Sequence, residues 1–299
     1  MSPTSPGRHL PAAAGLREKR QAENFPVALR VLPRELRADL TAVYAVARTI
    51  DDLGDEAEGD RVAQLKAFGE ELAGAWDGRE PTHPVIRGLL PAIHGGRADA
   101  APFGRLVEAN LQDQHVTRYP AYEDLLAYCR LSADPVGRIV LRLFDVRDER
   151  AAQLSDRVCT GLQLVEHWQD VAEDFANGRV YLPQEDLAAF GVAETELGAA
   201  RGSREFRELM RFEIDRAAAL LGSGAPLVGQ LHGWARLAVG GFVAGGLAAV
   251  DALRETGGDV LGRPARPSKA GVLGWLVWLG FGRSQGGSQG EPKAGRRSG

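Results

Sequence analysis

The stretch Leu36-Arg37-Ala38-Asp39-Leu40-Thr41-Ala42-Val43-Tyr44-Ala45-Val46-Ala47-Arg48-Thr49-Ile50, running straight into Asp51-Asp52-Leu53-Gly54-Asp55-Glu56, decides the fold. Its apolar residues fall at helical spacing with hardly a breaker. The spacing therefore predicts a helix that turns one face to a core and carries carboxylates at its far end. A second segment repeats the arrangement. Val158-Cys159-Thr160-Gly161-Leu162-Gln163-Leu164-Val165 reads as an apolar helix, and it leads through Glu166-His167-Trp168-Gln169 into Asp170-Val171-Ala172-Glu173-Asp174.

In each cluster two aspartates stand four residues apart. On a helix such residues share a face about one turn apart, so Asp51 with Asp55, and Asp170 with Asp174, each present two carboxylates in one direction. Like charges so placed cost an isolated helix about 0.2–0.5 kcal/mol, and more in a low-dielectric cleft, unless a cation or a shifted pKa relieves them. Oxygen-only clusters favour magnesium, which takes one or two carboxylates, keeps several waters and completes its shell with phosphate oxygens. Two facing pairs make a mouth for a diphosphate. The competing reading is a solvated helix end, the usual fate of an Asp-rich run; the position of both clusters at the ends of core-facing helices argues against it. A calcium loop is excluded, since Asp51 to Gly59 does not fit the EF-hand pattern.

Composition removes several other classes. The chain of 299 residues, 44% hydrophobic and 25% charged, has the balance of an ordinary globular protein and is long enough for a sizeable core. Its net charge of −4 argues against a nucleic-acid partner. Cys129 and Cys159 sit in apolar helical settings and read as reduced, buried thiols. His115 and His167 lack a ligand-spaced partner, which argues against zinc. The start, Met1-Ser2-Pro3-Thr4-Ser5-Pro6-Gly7, has no apolar signal-peptide core, so a cytoplasmic protein is expected.

From about residue 15 to 255 the pattern is helical, interrupted at Pro33, Pro81, Pro84, Pro91, Pro102, Pro120, Pro135, Pro183 and Pro226. Strand and repeat signals are weak. An all-α, single-domain bundle with its cavity among the helices follows. Residues 1–14, rich in Pro, Ser and Ala, are expected to be disordered; 15–260 form the helical domain; 261–299 hold an apolar strip and a flexible Gly/Ser/Gln tail. The strip, Gly271 to Phe281 with Trp275 and Trp278, follows Arg263, Arg266 and Lys269 and is too short to span a bilayer. Two readings stay open for it: resting on a membrane surface, or capping the core.

Taken with their surroundings, these motifs resemble the squalene/phytoene synthase family of head-to-head prenyl synthases over roughly residues 20–255. The likeness rests on Glu23-Asn24-Phe25-Pro26-Val27-Ala28, Tyr44-x3-Arg48-x2-Asp51-Asp52-x2-Asp55, Tyr128-Cys129, Leu162-Gln163-Leu164, and Asp170-x3-Asp174 with Gly178-Arg179-Val180-Tyr181-Leu182-Pro183. Within the family, Ser132-Ala133-Asp134-Pro135-Val136-Gly137-Arg138 and Trp168-Gln169-Asp170 look most like the hydroxysqualene synthase branch of the hopanoid pathway. That branch takes presqualene diphosphate, releases diphosphate and adds water to give hydroxysqualene, without NADPH. The sequence likewise contains no Gly-x-Gly-x-x-Gly dinucleotide fingerprint.

The resemblance implies an isoprenoid-synthase helical bundle with a central active-site cavity, in which Asp51, Asp55, Asp170 and Asp174 hold Mg2+ and Tyr128 stands beside a carbocation. It places substrate-binding groups at Gln21, Glu23, Asn24, Phe25, Tyr44, Arg48, Gln163, Arg179 and Tyr181. Asp52 points roughly 100° around the helix from Asp51 and reads as a supporting group. Many relatives carry Asn and Arg at the places held here by Glu166 and Gln169. These two are expected at the substrate site, Glu166 as an added metal ligand or a holder of water. The readings in competition are a condensing synthase making a squalene-, dehydrosqualene- or phytoene-type product, and a non-catalytic assembly protein that keeps the bundle. The second gains nothing from self-repelling aspartate pairs.

Overall fold

The computed structural model describes residues 32–262 and 265–281. Gln21, Glu23, Asn24 and Phe25, the stretch 1–14 and the tail beyond 281 lie outside the described residues. Among the described residues there are twelve α-helices, two short 3₁₀ segments (Glu194–Gly198 and Ala225–Gly229) and no strand, as the periodicity predicts. The helices are α1 (Arg34–Asp55), α2 (Arg61–Trp76), α3 (Pro84–His94), α4 (Ala100–Gln112), α5 (Tyr122–Ser132), α6 (Asp134–Leu143), α7 (Glu149–Gln169), α8 (Val171–Ala176), α9 (Gln184–Ala189), α10 (Arg204–Gly224), α11 (Gly233–Glu255) and α12 (Lys269–Phe281).

Local chemistry fixes several starts. Asp60, Asp148 and Ser203 cap α2, α7 and α10 by accepting from the backbone N–H three residues on, each cap being worth about 1 kcal/mol. Most of the prolines sit where a helix begins, but Pro91 does not interrupt as the sequence suggests. It lies inside α3, where the carbonyl that loses its donor belongs to the exposed Arg87.

Two apolar clusters form the interior. One gathers Val46 and Ile50 of α1 with Leu65, Phe68 and Leu72 of α2, Ile86 and Leu89 of α3, and Phe103 of α4. The larger one surrounds Trp168 of α7 with Phe206, Leu209, Met210 and Leu221 of α10 and Val243, Val250 and Leu253 of α11. Each fully buried Leu, Ile or Phe contributes about 1.5–3 kcal/mol. Among the described helices the α7–α10 pair packs most extensively. It closes because Gly161 has no side chain: a Cβ there would meet the Leu221 backbone at 2.9 Å. Helix α6 touches both clusters, with Ile139 and Leu143 in one and Leu141 in the other.

The apolar strip forms α12 and caps the core with one face. It packs on α11, and Trp275 Nε1 donates to Asp251 Oδ2 at 2.8 Å. Leu273, Val277 and Trp278 remain exposed on its other face. Helix α11 is long and apolar enough to cross a membrane by length and composition, yet most of it is buried inside the molecule. Cys129 and Cys159 are free thiols.

Candidate active site

A cleft of about 650 Å³ opens where the two apolar clusters meet. That volume lies within the roughly 300–1,000 Å³ of small-molecule sites. One end is charged, with Asp51 and Asp55 from α1, Asp113 after α4, Glu166 and His167 from α7, and Arg179 from the loop after α8. The walls beyond are apolar, supplied by Val136 and Val140 of α6, Val158 and Leu162 of α7, and Val239 and Phe242 of α11.

The end of α1 is delivered into this cleft by a close approach to α4. Asn110 Nδ2 donates to Asp51 Oδ1 at 3.3 Å, and Gln114 Nε2 donates to the Gly54 carbonyl at 3.0 Å. A Cβ on Gly54 would run into the Asn110 side chain, so the glycine between the two aspartates sets the distance. The Asp51 side chain is exposed to water at the mouth of the cleft, yet protein crowds it on the remaining sides. That partial desolvation, with the charge of Asp55 added, outweighs the Asn110 hydrogen bond and pushes its pKa up to about 6.

Arg179 joins the two acidic segments. Its guanidinium lies 3.1 Å from Asp55, while its backbone N–H donates to the Asp174 carbonyl at 2.9 Å. Burial works against its charge, but Tyr181, Asp113 and Asp55 together hold it protonated. Tyr128 donates its hydroxyl to Asp113 at 2.8 Å, and burial raises both groups' pKa values. Behind it Tyr119, Tyr128 and Tyr181 form a cluster with centroids 5.4–6.0 Å apart, and His167 stacks on Tyr181 at 3.6 Å.

The second aspartate pair differs from a plain helical pair. Helix α7 ends at Gln169, and Asp170 sits at a break before α8, with φ −112° and ψ 14°. The bond from Asp174 N–H to the Asp170 carbonyl, at 2.8 Å, keeps the two residues one turn apart. Asp170 is half-buried, whereas Asp174 is buried with its carboxylate 3.8 Å from His167 Nδ1. Among the described residues no three His, Cys, Asp or Glu side chains converge on one point. The donor set fits ions held by one or two carboxylates each and completed by water and substrate oxygens.

The cleft brings together Asp51, Asp55, Tyr128, Gln163, Glu166 and Arg179, with Tyr181 and Asp174 immediately behind. Four expected site residues do not line the cleft: Asp170, which stays at the break between α7 and α8, and Arg48, Tyr44 and Gln169. Arg48 pairs along its own helix with Asp52 at 2.6 Å and Glu56 at 3.4 Å, because those carboxylates lie four and eight residues on. Tyr44, one turn earlier, is exposed on the same flank. Gln169 is turned away from the cleft; its amide donates to the Ala265 carbonyl at 2.7 Å and clasps the segment leading to α12. Sequence reasoning overlooked Asn110, Asp113 and Ser132. Asn110 and Asp113 carried a signal, being polar residues three apart at the end of an otherwise core-facing helix.

A fold and cleft of this kind, all helices around an acid-mouthed apolar cavity, define an isoprenoid-synthase type of protein. The family model described as squalene/phytoene synthase matches residues 18–270, and the chain belongs to that family, whose members process prenyl diphosphates in isoprenoid biosynthesis. It is 36% identical over 219 residues to a hydroxysqualene synthase of Sinorhizobium fredii, covering 70% of this chain and 71% of the relative. It is 32% identical to a phytoene synthase of Mycobacterium tuberculosis, covering 70% of each. Among solved structures, squalene synthase HpnC from Alicyclobacillus acidocaldarius superposes with a TM-score of 0.75 at 41% identity, covering 82% of this chain and 93% of that one.

Proposed function

We propose that this chain is a hydroxysqualene synthase: a magnesium-dependent enzyme of squalene and hopanoid biosynthesis that converts presqualene diphosphate and water to hydroxysqualene and diphosphate. The observation that carries the reading is the two-part cleft, in which a carboxylate-and-arginine end suited to a diphosphate adjoins walls suited to a hydrocarbon. The names of the relatives support the same choice.

The residues fit a divalent cation. Asp51 is desolvated and repelled by Asp55 strongly enough to raise its pKa, and a dication relieves that repulsion. Asp51, Asp55, Asp170 and Asp174 are the carboxylates that would hold it; it supplies Lewis-acid neutralisation of charge on the departing diphosphate. Arg179 binds the diphosphate oxygens through its guanidinium. The apolar walls keep bulk water from the carbocation left behind, and the ring faces of Tyr128 and its neighbours attract it by about 0.5–2 kcal/mol each. Glu166, on the cleft rim, adds a carboxylate beside the diphosphate end.

The second reading is a condensing synthase, favoured by the 32% identity to a phytoene synthase. Incubation of the pure protein with magnesium and either presqualene diphosphate or farnesyl diphosphate, without NADPH, separates the two. Hydroxysqualene from presqualene diphosphate is expected, with no product after EDTA. Consumption of farnesyl diphosphate alone sinks the first reading in favour of the second.

A further inference from the structure

We propose that Ser132 and Gln163 seat the water molecule that becomes the product hydroxyl, a role that rests on the hydroxysqualene reading. Both residues line the cleft at its boundary between charged and apolar ends. On α5, Ser132 lies one turn beyond Tyr128, which is bound to Asp113; the next lining residues are Ala133 and Val136. On α7, Gln163 lies one turn before Glu166 and His167 and one turn after Cys159 and Val158. The two helices therefore place one uncharged polar pair at the same depth, just below the diphosphate end.

Hydrogen-bond accounting gives this pair two adjacent acceptors that suit water. Gln163 Nε2 has two protons: one meets Ser132 Oγ at 2.8 Å and the other points to His167 Nε2 at 3.3 Å. Ser132 has one proton and two acceptors in reach, the Tyr128 carbonyl at 3.1 Å and Gln163 Oε1 at 2.9 Å. When that proton serves the Tyr128 carbonyl, Gln163 Oε1 and a lone pair on Ser132 Oγ remain as neighbouring acceptors. A water donating to both has its two protons held and its own lone pairs directed away from the pair, toward the cleft. An ordered water in an otherwise apolar cavity needs two to four polar partners, which this pair supplies.

The step balances without a redox partner. The C–O bond to diphosphate breaks with its electron pair leaving on oxygen. A lone pair of the seated water then forms the new C–O bond to the rearranged cation. The oxonium so formed passes one proton to the released diphosphate, giving alcohol and hydrogen diphosphate. Because the seat is one helical turn below the charged end, water meets the cation away from the carbon that carried the leaving group. Without a seated water the cation loses a carbon-bound proton to the diphosphate and ends as a polyene.

The test measures alcohol, hydrocarbon and diphosphate together, using presqualene diphosphate and magnesium in H₂¹⁸O. Wild type is expected to give about one alcohol per diphosphate, with the label in the alcohol and none in the diphosphate. In Ser132→Ala and Gln163→Leu the ratio of alcohol to diphosphate should fall at least tenfold, with polyene making up the difference, and Ser132→Thr should restore it. A ratio that stays near one in both variants overturns the seat and leaves the functional reading standing. So does a parallel loss of alcohol and diphosphate in all three variants with helical circular dichroism intact, which would place the pair in ionisation. If wild type releases no diphosphate from this substrate, the functional reading itself falls and the seat with it.

Discussion

Replacing Glu213 by Gln should remove a pH-dependent weakness from the corner that carries α5. Glu213 is fully buried in α10, with Arg216 at 3.5 Å and the Asp186 carboxylate of α9 beside it. Arg216 in turn pairs with Asp186 at 2.9 Å and lies 4.0 Å over the ring of Tyr122, the first residue of α5. Glu213 Oε2 meets no donor, so two acceptors face each other unless one carries a proton. Burial first, and then the contact with Asp186, push the Glu213 pKa from 4.5 up to about 8. The folded state thus holds a proton that the unfolded chain releases. Stability from this source is complete below about pH 4.5 and is lost as pH rises through about 8, at roughly 1.4 kcal/mol per unit. Between pH 6 and 8 the loss is on the order of 2–3 kcal/mol. A Gln amide replaces the acid O–H as donor to Asp186 and does not titrate. Urea unfolding of both proteins at pH 6 and 8 measures the difference in slope; with an m value of about 2–3 kcal/mol/M the wild-type midpoint should fall by about 1 M more than that of the variant. Equal shifts in the two proteins would refute the buried, shared proton.

Further outcomes follow from the cleft. Asp51→Asn and Asp170→Asn should each lower turnover by about 10³-fold or more, roughly 4 kcal/mol of barrier, with helical circular dichroism unchanged. Asp51→Asn should also leave the melting temperature equal or higher, since it removes a desolvated, self-repelling charge. Arg179→Met should weaken magnesium-dependent binding of inorganic diphosphate by about 10- to 150-fold in calorimetry, the value of a charge-assisted hydrogen bond of about 1.5–3 kcal/mol. Gly54→Ala should drive the Asn110 side chain out of place and cost about 1–3 kcal/mol, seen as a lower melting temperature together with lost activity.

Helical character was legible because apolar spacing records which face is buried, and α1 and α7 carry that record clearly through Ile50 and Val165. The acidic clusters were legible for a similar reason: self-repelling carboxylates at the ends of core-facing helices need an external explanation. Side-chain direction at those ends was not. Spacing gives Arg48 two choices within one turn, Asp51 or Asp52, and the structure takes the second, at 2.6 Å. Gln169 is captured by a carbonyl 96 residues away, which no local pattern contains. Pro91 misled because a proline's cost depends on whether the freed carbonyl reaches water, a tertiary property.

The same distinction bears on how the cleft divides its work. Groups that meet charge advertise themselves in sequence, since two aspartates four residues apart are costly without a purpose. Groups that meet water do not: Ser132 and Gln163 are ordinary helical residues, 31 positions apart, and become a pair only where α5 crosses α7. Arg179 stands between these cases. It is a lone cation in a loop by sequence, yet its side chain reaches Asp55 of α1 and its backbone holds Asp174, so one residue draws together acidic segments that begin 119 positions apart, at Asp51 and Asp170. Removing its charge should therefore disturb more than one diphosphate contact. Asp55 would lose its counter-ion, and the negative charge left at the mouth would oppose an anionic substrate while favouring free magnesium. A variant such as Arg179→Met that binds magnesium alone more tightly, but diphosphate with magnesium less tightly, is the signature of that division. A parallel loss of both would instead mean that Arg179 chiefly holds the loop in place.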